Sequence, residues 1–292
     1  MQNTFQHIYN SLSGIYDESE IRTISFLLIE KLTGFSRTEI LTNKSTNFSA
    51  NQQQKLDGFI EKLKKNIPIQ YILGETEFFG LNFVVDKSVL IPRPETEELV
   101  EWIHLSLNPS PKERDFKKCK NSASLRILDI GTGSGCIAIA LKNKLPTAEL
   151  TAFDISEKAL QTARKNAERN KISVDFRQVD ILKENTFAEK WDVIVSNPPY
   201  IPKRERANMC EKVWKNEPEL ALFVPNETPL LFYEKIAHFA QNHLTDNGKL
   251  FFEIHFDAGN AIVNLLETQQ FKSIEIRKDI SGNARMIKCV KA

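Results

Sequence analysis

Net charge is nearly absent from this chain. Its 292 residues carry 39 Lys and Arg against 38 Asp and Glu, so no global field draws it onto nucleic acid or a membrane surface. Cysteine is scarce. The four present, Cys119, Cys136, Cys210 and Cys289, stand far apart and form no C-x-x-C pair. They suggest neither a zinc site nor a disulfide framework, which fits a reducing cytosol. No apolar run approaches about 18 residues, so no membrane-spanning helix is expected. The opening MQNTFQHIYN has no basic stretch leading into an apolar one, so it does not read as a secretion signal. A cytoplasmic location is the expectation. No internal repeat is visible. What remains is ordinary: 41% hydrophobic and 26% charged residues, as in soluble globular proteins. A chain of this length can bury a large core in one or two domains.

Helical periodicity dominates the first 73 residues. Ile21, Ile24, Leu28 and Leu32 share one helix face, and Gly34 is placed to end that helix. Ser49 is placed to cap a second helix with Leu56, Phe59, Ile60 and Leu63 on its apolar face. Residues 1–73 therefore read as a small helical bundle. It carries no basic stripe and no titratable cluster, so a packing or positioning role is expected of it. Residues 74–93 change period. Phe78-Phe79 and Phe83-Val84-Val85 flank Gly80 as in a β-hairpin, which would link two domains. Pro94 then fits the first turn of a helix reaching about Leu107, with Glu95, Glu97 and Glu98 at its positive end. Residues 108–124 lose all periodicity and read as a mobile surface loop.

From Leu125 strands and helices alternate, the pattern of a mostly parallel sheet. LRILDI, ELTAFD, VDFRQV running on to Asp180, WDVIVS and GKLFFEI read as five strands. SIEIRK and ARMIKCV read as two more, paired as a hairpin at one edge. Helices are expected from Cys136, over Ser156–Arg169, over Pro229–Leu244, and from about Ala258. The α/β part is thus placed at 94–292.

Two turns between these elements carry chemistry. The first is GTGSG, Gly131 to Gly135. Its glycines let the backbone approach a ligand at a helix amino terminus. A dinucleotide fingerprint would need glycine or alanine at position 136, where Cys136 stands. A phosphate-binding P-loop would need a Gly-Lys-Ser/Thr ending, which is absent. Asp154 ends the next strand, where a carboxylate can accept hydrogen bonds from ribose hydroxyls. Asp180 ends the third strand, and it reads about equally as a strand-end cap or a ligand contact.

The second turn is NPPY, Asn197 to Tyr200. Pro198 and Pro199 stop the strand and stiffen the turn. The Asn197 side-chain oxygen and the Pro198 carbonyl then stand as two acceptors on a rigid frame. Side by side they suit a planar NH2 group, and Tyr200 offers it a flat wall. The plain alternative is an Asn-Pro turn that merely ends a strand. No general base is expected, since Tyr200 has a reference pKa near 10.

D-x-G-x-G-x-G from Asp129 resembles the first motif of class I methyltransferases. With PIQYILGETEFFGLNF, LIPRPETEELV, SNPPYI, EPELALF at Glu217–Phe223 and DISGNAR at Asp279–Arg285, nearly the whole chain resembles the HemK-like family of release-factor glutamine methyltransferases. The resemblance implies a Rossmann-like α/β fold, with a seven-stranded, mostly parallel sheet behind a helical amino-terminal domain that helps hold a release factor. It implies S-adenosylmethionine as cofactor, bound by Asp129, Gly131, Thr132, Gly133, Ser134, Gly135, Asp154, Asp180, Ile181 and Asn197. It implies Asn197, Pro198, Pro199 and Tyr200 as the substrate site, with Asn197, Pro198 and Tyr200 catalytic. The reaction implied is methyl transfer to the side-chain amide nitrogen of the glutamine in a Gly-Gly-Gln loop. One departure is visible: the family often has glycine after Glu-Ile, and this chain has His255, read as a packed or exposed side chain. Two other substrates share the NPPY logic. One is a glutamine of another protein, such as a ribosomal protein. The other is a nucleic-acid adenine or guanine, disfavoured by the near-zero charge.

Overall fold

The computed structural model describes residues 2–42, 47–107, 124–183 and 186–292. The loop expected at 108–124, with Cys119, lies outside them except for Ser124. The chain forms two compact units, one of residues 1–75 with 210–216, the other of 76–209 with 217–292.

In the first unit, α1 (Gln2–Leu12), α2 (Glu18–Thr33), α3 (Arg37–Thr42), α4 (Ala50–Lys64) and α5 (Ile69–Leu73) enclose their own core. Ile21, Ile24 and Leu28 are buried in it and Leu32 packs at its margin. The Gly34 N–H returns to the Glu30 carbonyl and ends α2. Ser49 and Gln52 exchange backbone and side-chain hydrogen bonds at the start of α4, a capping box. Segment 210–216 joins this unit through Lys212. Its ammonium lies 3.0 Å from Glu20 and 3.7 Å from the Tyr16 ring centre.

The second unit, from Thr76, takes up β1 (Glu75–Phe78) after its first residue and β2 (Leu81–Val84), a hairpin closed by Phe79-Gly80. It does more than connect: Phe78 and Phe83 meet edge to face at 5.9 Å inside the main core. There follow α6 (Pro94–Leu107), β3 (Arg126–Ile130), α7 (Cys136–Lys144), β4 (Glu149–Asp154), α8 (Glu157–Arg169), β5 (Asp175–Gln178) and β6 (Trp191–Ser196). Then come β7 (Ile201–Pro202), a 3-10 turn at Lys203–Asn208, α9 (Glu211–Trp214, in the first unit), α10 (Glu219–Leu222) and β8 (Phe223–Val224). The chain closes with α11 (Leu231–His243), β9 (Leu244–Glu253), α12 (Gly259–Thr268), β10 (Phe271–Lys278) and β11 (Ala284–Lys291). Among the described residues no helix is long and apolar enough to cross a membrane.

Seven strands form one sheet in the order β10-β11-β9-β6-β3-β4-β5. The five from β9 to β5 are mutually parallel, and β11 and β10 add an antiparallel hairpin edge. The period-2 alternation sends Ile127, Val193, Val195 and Phe251 into the core on one face. Leu128, Ile194, Leu250 and Phe252 enter the core on the other, under α11 and α12. Two strand boundaries differ from the sequence reading. β5 stops at Gln178, which puts Asp180 in the following turn, and β9 begins at Leu244, before Gly248.

Asn166 of α8 is fully buried and ties three pieces together. Its Oδ1 accepts from the Val84 N–H at 2.6 Å, and its Nδ2 donates to Val84 O and Ser134 O at 3.0 and 2.9 Å. Asn166→Ala leaves those backbone groups unpaired, so it should destabilise the second unit by about 1–3 kcal/mol. Urea unfolding monitored on that unit measures this. A loss below about 0.5 kcal/mol, the range of an ordinary surface change, would contradict it.

Candidate functional site

Strand register sets the site. Ile130 of β3 pairs with Phe153 of β4 and Ser196 of β6, and Ser196 pairs with Phe252 of β9. The carboxyl ends of these strands therefore stop at one level, and strand order reverses between β3 and β6. In open α/β sheets that crevice takes the ligand.

The glycine turn folds over the end of β3. Gly131 N and Thr132 N both donate to Phe153 O, at 2.8 and 2.9 Å. The Thr132 hydroxyl donates to Asp129 Oδ2 at 2.6 Å. Asp129 is fully buried. Burial pushes the Asp129 carboxyl up to about 7, against the lowering effect of the Thr132 hydrogen bond. Gly133 and Gly135 both have positive φ, for different reasons. A Cβ on Gly133 would meet nothing within 4 Å. One on Gly135 would lie 3.0 Å from Ile139 Cδ1 and 3.1 Å from Ala163 Cβ, so Gly135 permits the close approach of α7 to α8.

Asp154 ends β4. Its Oδ2 accepts from Gly133 N at 2.8 Å and its Oδ1 from Ser156 N at 2.9 Å. Each oxygen keeps a further acceptor site. Burial raises its pKa, and these backbone hydrogen bonds oppose the rise. Asp180 accepts from Leu182 N at 3.1 Å within the turn after β5, and it also lies on the wall of the crevice over the strand ends.

A cavity of about 170 Å³ lies over these strand ends. Gly131, Gly133, Asp154, Asp180, Ile181, Asn197, Pro198 and Pro199 line it. Asp129, Thr132 and Ser134 are buried beneath the turn, and Gly135 and Tyr200 also lie outside the wall. Two segments to which the sequence reading gave no role also line it: Ser88-Val89-Leu90, and Pro218 with Leu220 and Ala221. Glu217 joins them. Its buried carboxylate accepts from Ile91 N at 3.3 Å and from the Arg93 guanidinium at 2.6 Å. Parallel pairing of β7 with β8 braces the same segment from the NPPY side.

Beside NPPY the sequence reading missed a buried carboxylate. Asn197 Nδ2 donates to Thr96 Oγ1 at 3.3 Å, and the Thr96 hydroxyl donates to Glu253 Oε2 at 2.6 Å. The Tyr200 hydroxyl donates to Glu253 Oε1 at 3.3 Å. Burial pushes the Tyr200 phenol well above its ordinary range. Tyr200 thus stands against Glu253, with the His255 ring centre 5.8 Å from its own. His255 is itself packed among Asp257, Glu205 and Phe256. The motif strings around Thr96 and Glu217 were the available signal.

A seven-stranded sheet with a glycine turn after β3 and NPPY after β6 defines a class I methyltransferase. The methyltransferase small domain family matches residues 116–218, and the PrmC N-terminal domain family matches residues 4–74. The crystal structure of a methyltransferase from Pyrococcus furiosus superposes with a TM-score of 0.51 at 18% identity, over 84% of this chain and 100% of that one; this likeness concerns the fold alone. More particularly, the chain belongs to the release factor glutamine methyltransferase family. It is 42% identical to the protein of that name from Flavobacterium psychrophilum, over 99% of this chain and 98% of that protein. It is also 42% identical to the one from Bacteroides thetaiotaomicron, over 98% and 99%.

The two glycines separate in a stability measurement. Gly133→Ala should cost about 1–2 kcal/mol, from the left-handed backbone alone. Gly135→Ala adds overpacking of about 1–3 kcal/mol to that. Denaturant unfolding of both variants measures the gap, and equal losses would contradict the packing role of Gly135.

Proposed function

We propose that this protein is a cytoplasmic release factor N5-glutamine methyltransferase. It transfers the methyl group of S-adenosylmethionine to the side-chain amide nitrogen of the glutamine in the Gly-Gly-Gln motif of class I translation release factors. The observation that carries this reading is the NPPY turn, with Asn197 and Pro198 on the wall of a cavity that also holds Gly131, Gly133 and Asp154.

The residues fit the cofactor. Gly131 and Gly133 line the cavity, and a Cβ on either would stand in open space. The turn can therefore pack against the methionine part, while Asp154 accepts from ribose hydroxyls and Asp180 with Ile181 holds the adenine. Asp129 acts from beneath, by fixing Thr132. When bound, the cofactor supplies an electrophilic methyl group on a sulfonium.

An amide nitrogen is a poor nucleophile, because its lone pair is delocalised into the carbonyl. Positioning can supply roughly 7–11 kcal/mol in favourable cases. The Asn197 side-chain oxygen and the Pro198 carbonyl accept the two N–H groups and aim the nitrogen. They also stabilise the positive charge that develops on it. The proton leaves to water afterwards, so no strong base is required. The amino-terminal helical unit adds affinity for the release factor and takes no part in the chemistry.

Two variants test the division of labour. Asn197→Ala should lose about 100- to 1000-fold in single-turnover methylation of a release factor, with cofactor binding little changed. Asp154→Ala should instead weaken cofactor binding by about 1–3 kcal/mol in a calorimetric titration. Near-normal turnover of Asn197→Ala would sink the acceptor pair, and unchanged affinity of Asp154→Ala would remove Asp154 from the site.

A further inference from the structure

We propose that Thr96 and Glu253 are positioning residues that fix which way the Asn197 amide faces. The inference rests on the acceptor role just given to Asn197. An asparagine side chain has an accepting end and a donating end, of nearly equal shape. Only the accepting end can hold the NH2 group of a substrate amide. With the donating end forward, Asn197 would set donor against donor.

The chain of hydrogen bonds decides between the two. A carboxylate accepts and cannot donate. The Thr96 proton must therefore go to Glu253, across 2.6 Å. The Thr96 oxygen is left with lone pairs alone toward Asn197, 3.3 Å away, and takes an N–H from Nδ2. Oδ1 is then the free end. Thr96, in the first turn of α6, is 3% exposed, and Glu253, at the end of β9, is 2% exposed. Neither lines the cavity, so both act through Asn197. The same carboxylate holds the Tyr200 hydroxyl.

The direction reverses when Glu253 is neutral. A protonated carboxyl can donate to Thr96, whose own proton is then free to point at Asn197, and the amide can turn over. Burial raises the Glu253 pKa; Thr96, Arg285 of β11 and Tyr200 act against that rise, and Glu95 of α6 adds to it. Cys136 of α7 faces the same charge, and the Tyr233 hydroxyl of α11 holds the Glu253 main-chain carbonyl at 3.2 Å. Acidification should therefore remove the correct orientation at a higher pH than an ordinary glutamate would.

The test is single-turnover methylation of a release factor at saturating S-adenosylmethionine, with calorimetric cofactor binding as the measure of an intact fold. Thr96→Val should lose roughly 100-fold in rate with cofactor affinity retained, and Thr96→Ser, which keeps the hydroxyl, should recover most of it. Glu253→Met keeps roughly the size but can accept nothing from Thr96, which frees the Thr96 proton to point at Asn197, so it should be about as slow as Thr96→Val. The wild-type rate should fall on the acid side, and the residual rate of Thr96→Val should lack that fall. Wild-type speed in Thr96→Val or Glu253→Met, or a Thr96→Ser as slow as the valine variant, would overturn the proposal. A wild-type enzyme that leaves the release-factor glutamine unlabelled would instead overturn the functional reading beneath it.

Discussion

The pairs Ile130–Phe153, Ile130–Ser196 and Ser196–Phe252 hold four parallel strand ends at one level. Neighbouring strands lie about 4.8 Å apart, so the end of β4 stands roughly 10 Å from the end of β6. That spacing puts Asp154 and Asn197 on the same cavity wall without any loop having to reach across. A slip of one residue in β6 would turn Asn197 to the other face. Polar contacts along β6 resist it: Asp192 accepts from Arg126 N and from the Thr245 hydroxyl, and the Ser196 hydroxyl donates to Ile130 O.

Carboxylates at this edge do three different jobs, set by their surroundings. Asp154 keeps lone pairs toward the cavity, though both its oxygens already accept backbone N–H groups. Asp129 is sealed in and acts on the shape of the glycine turn through Thr132. Glu253 is sealed in as well, and orders Thr96 and Tyr200 around NPPY. Nothing in the overall charge of the chain signals this, because 39 cationic and 38 anionic residues nearly cancel.

The parts of the site legible in the sequence were those made by contiguous residues. A β-branched run followed by two prolines writes the end of β6 and the NPPY turn into eight letters, Val193 to Tyr200. The glycine turn and Asp154 are equally local, each a strand end plus its turn. The helix at Pro94–Leu107 was legible too, but the direction of Thr96 was not, since its partners lie 101 and 157 residues along the chain. The covering segment around Glu217 escaped for the same reason: its bonds go to Ile91 and Arg93. Segment 210–216 belongs with the first unit despite its place between β7 and β8, and no periodicity in seven residues could announce that. Asp180 was placed at the end of a strand that stops at Gln178, because the apolar Val179 continues the alternation after the ladder has ended.

The central claim is that two acceptors at the end of β6 select a planar amide nitrogen. The direct measurement uses S-adenosylmethionine with an isotopically labelled methyl group, the intact enzyme and an intact release factor, followed by peptide mass spectrometry. The label should appear once, on the side-chain amide nitrogen of the Gly-Gly-Gln glutamine, and should vanish when that glutamine is replaced by glutamate. Label on the glutamate-containing factor, or on a nucleic-acid base in the same mixture, would contradict the account.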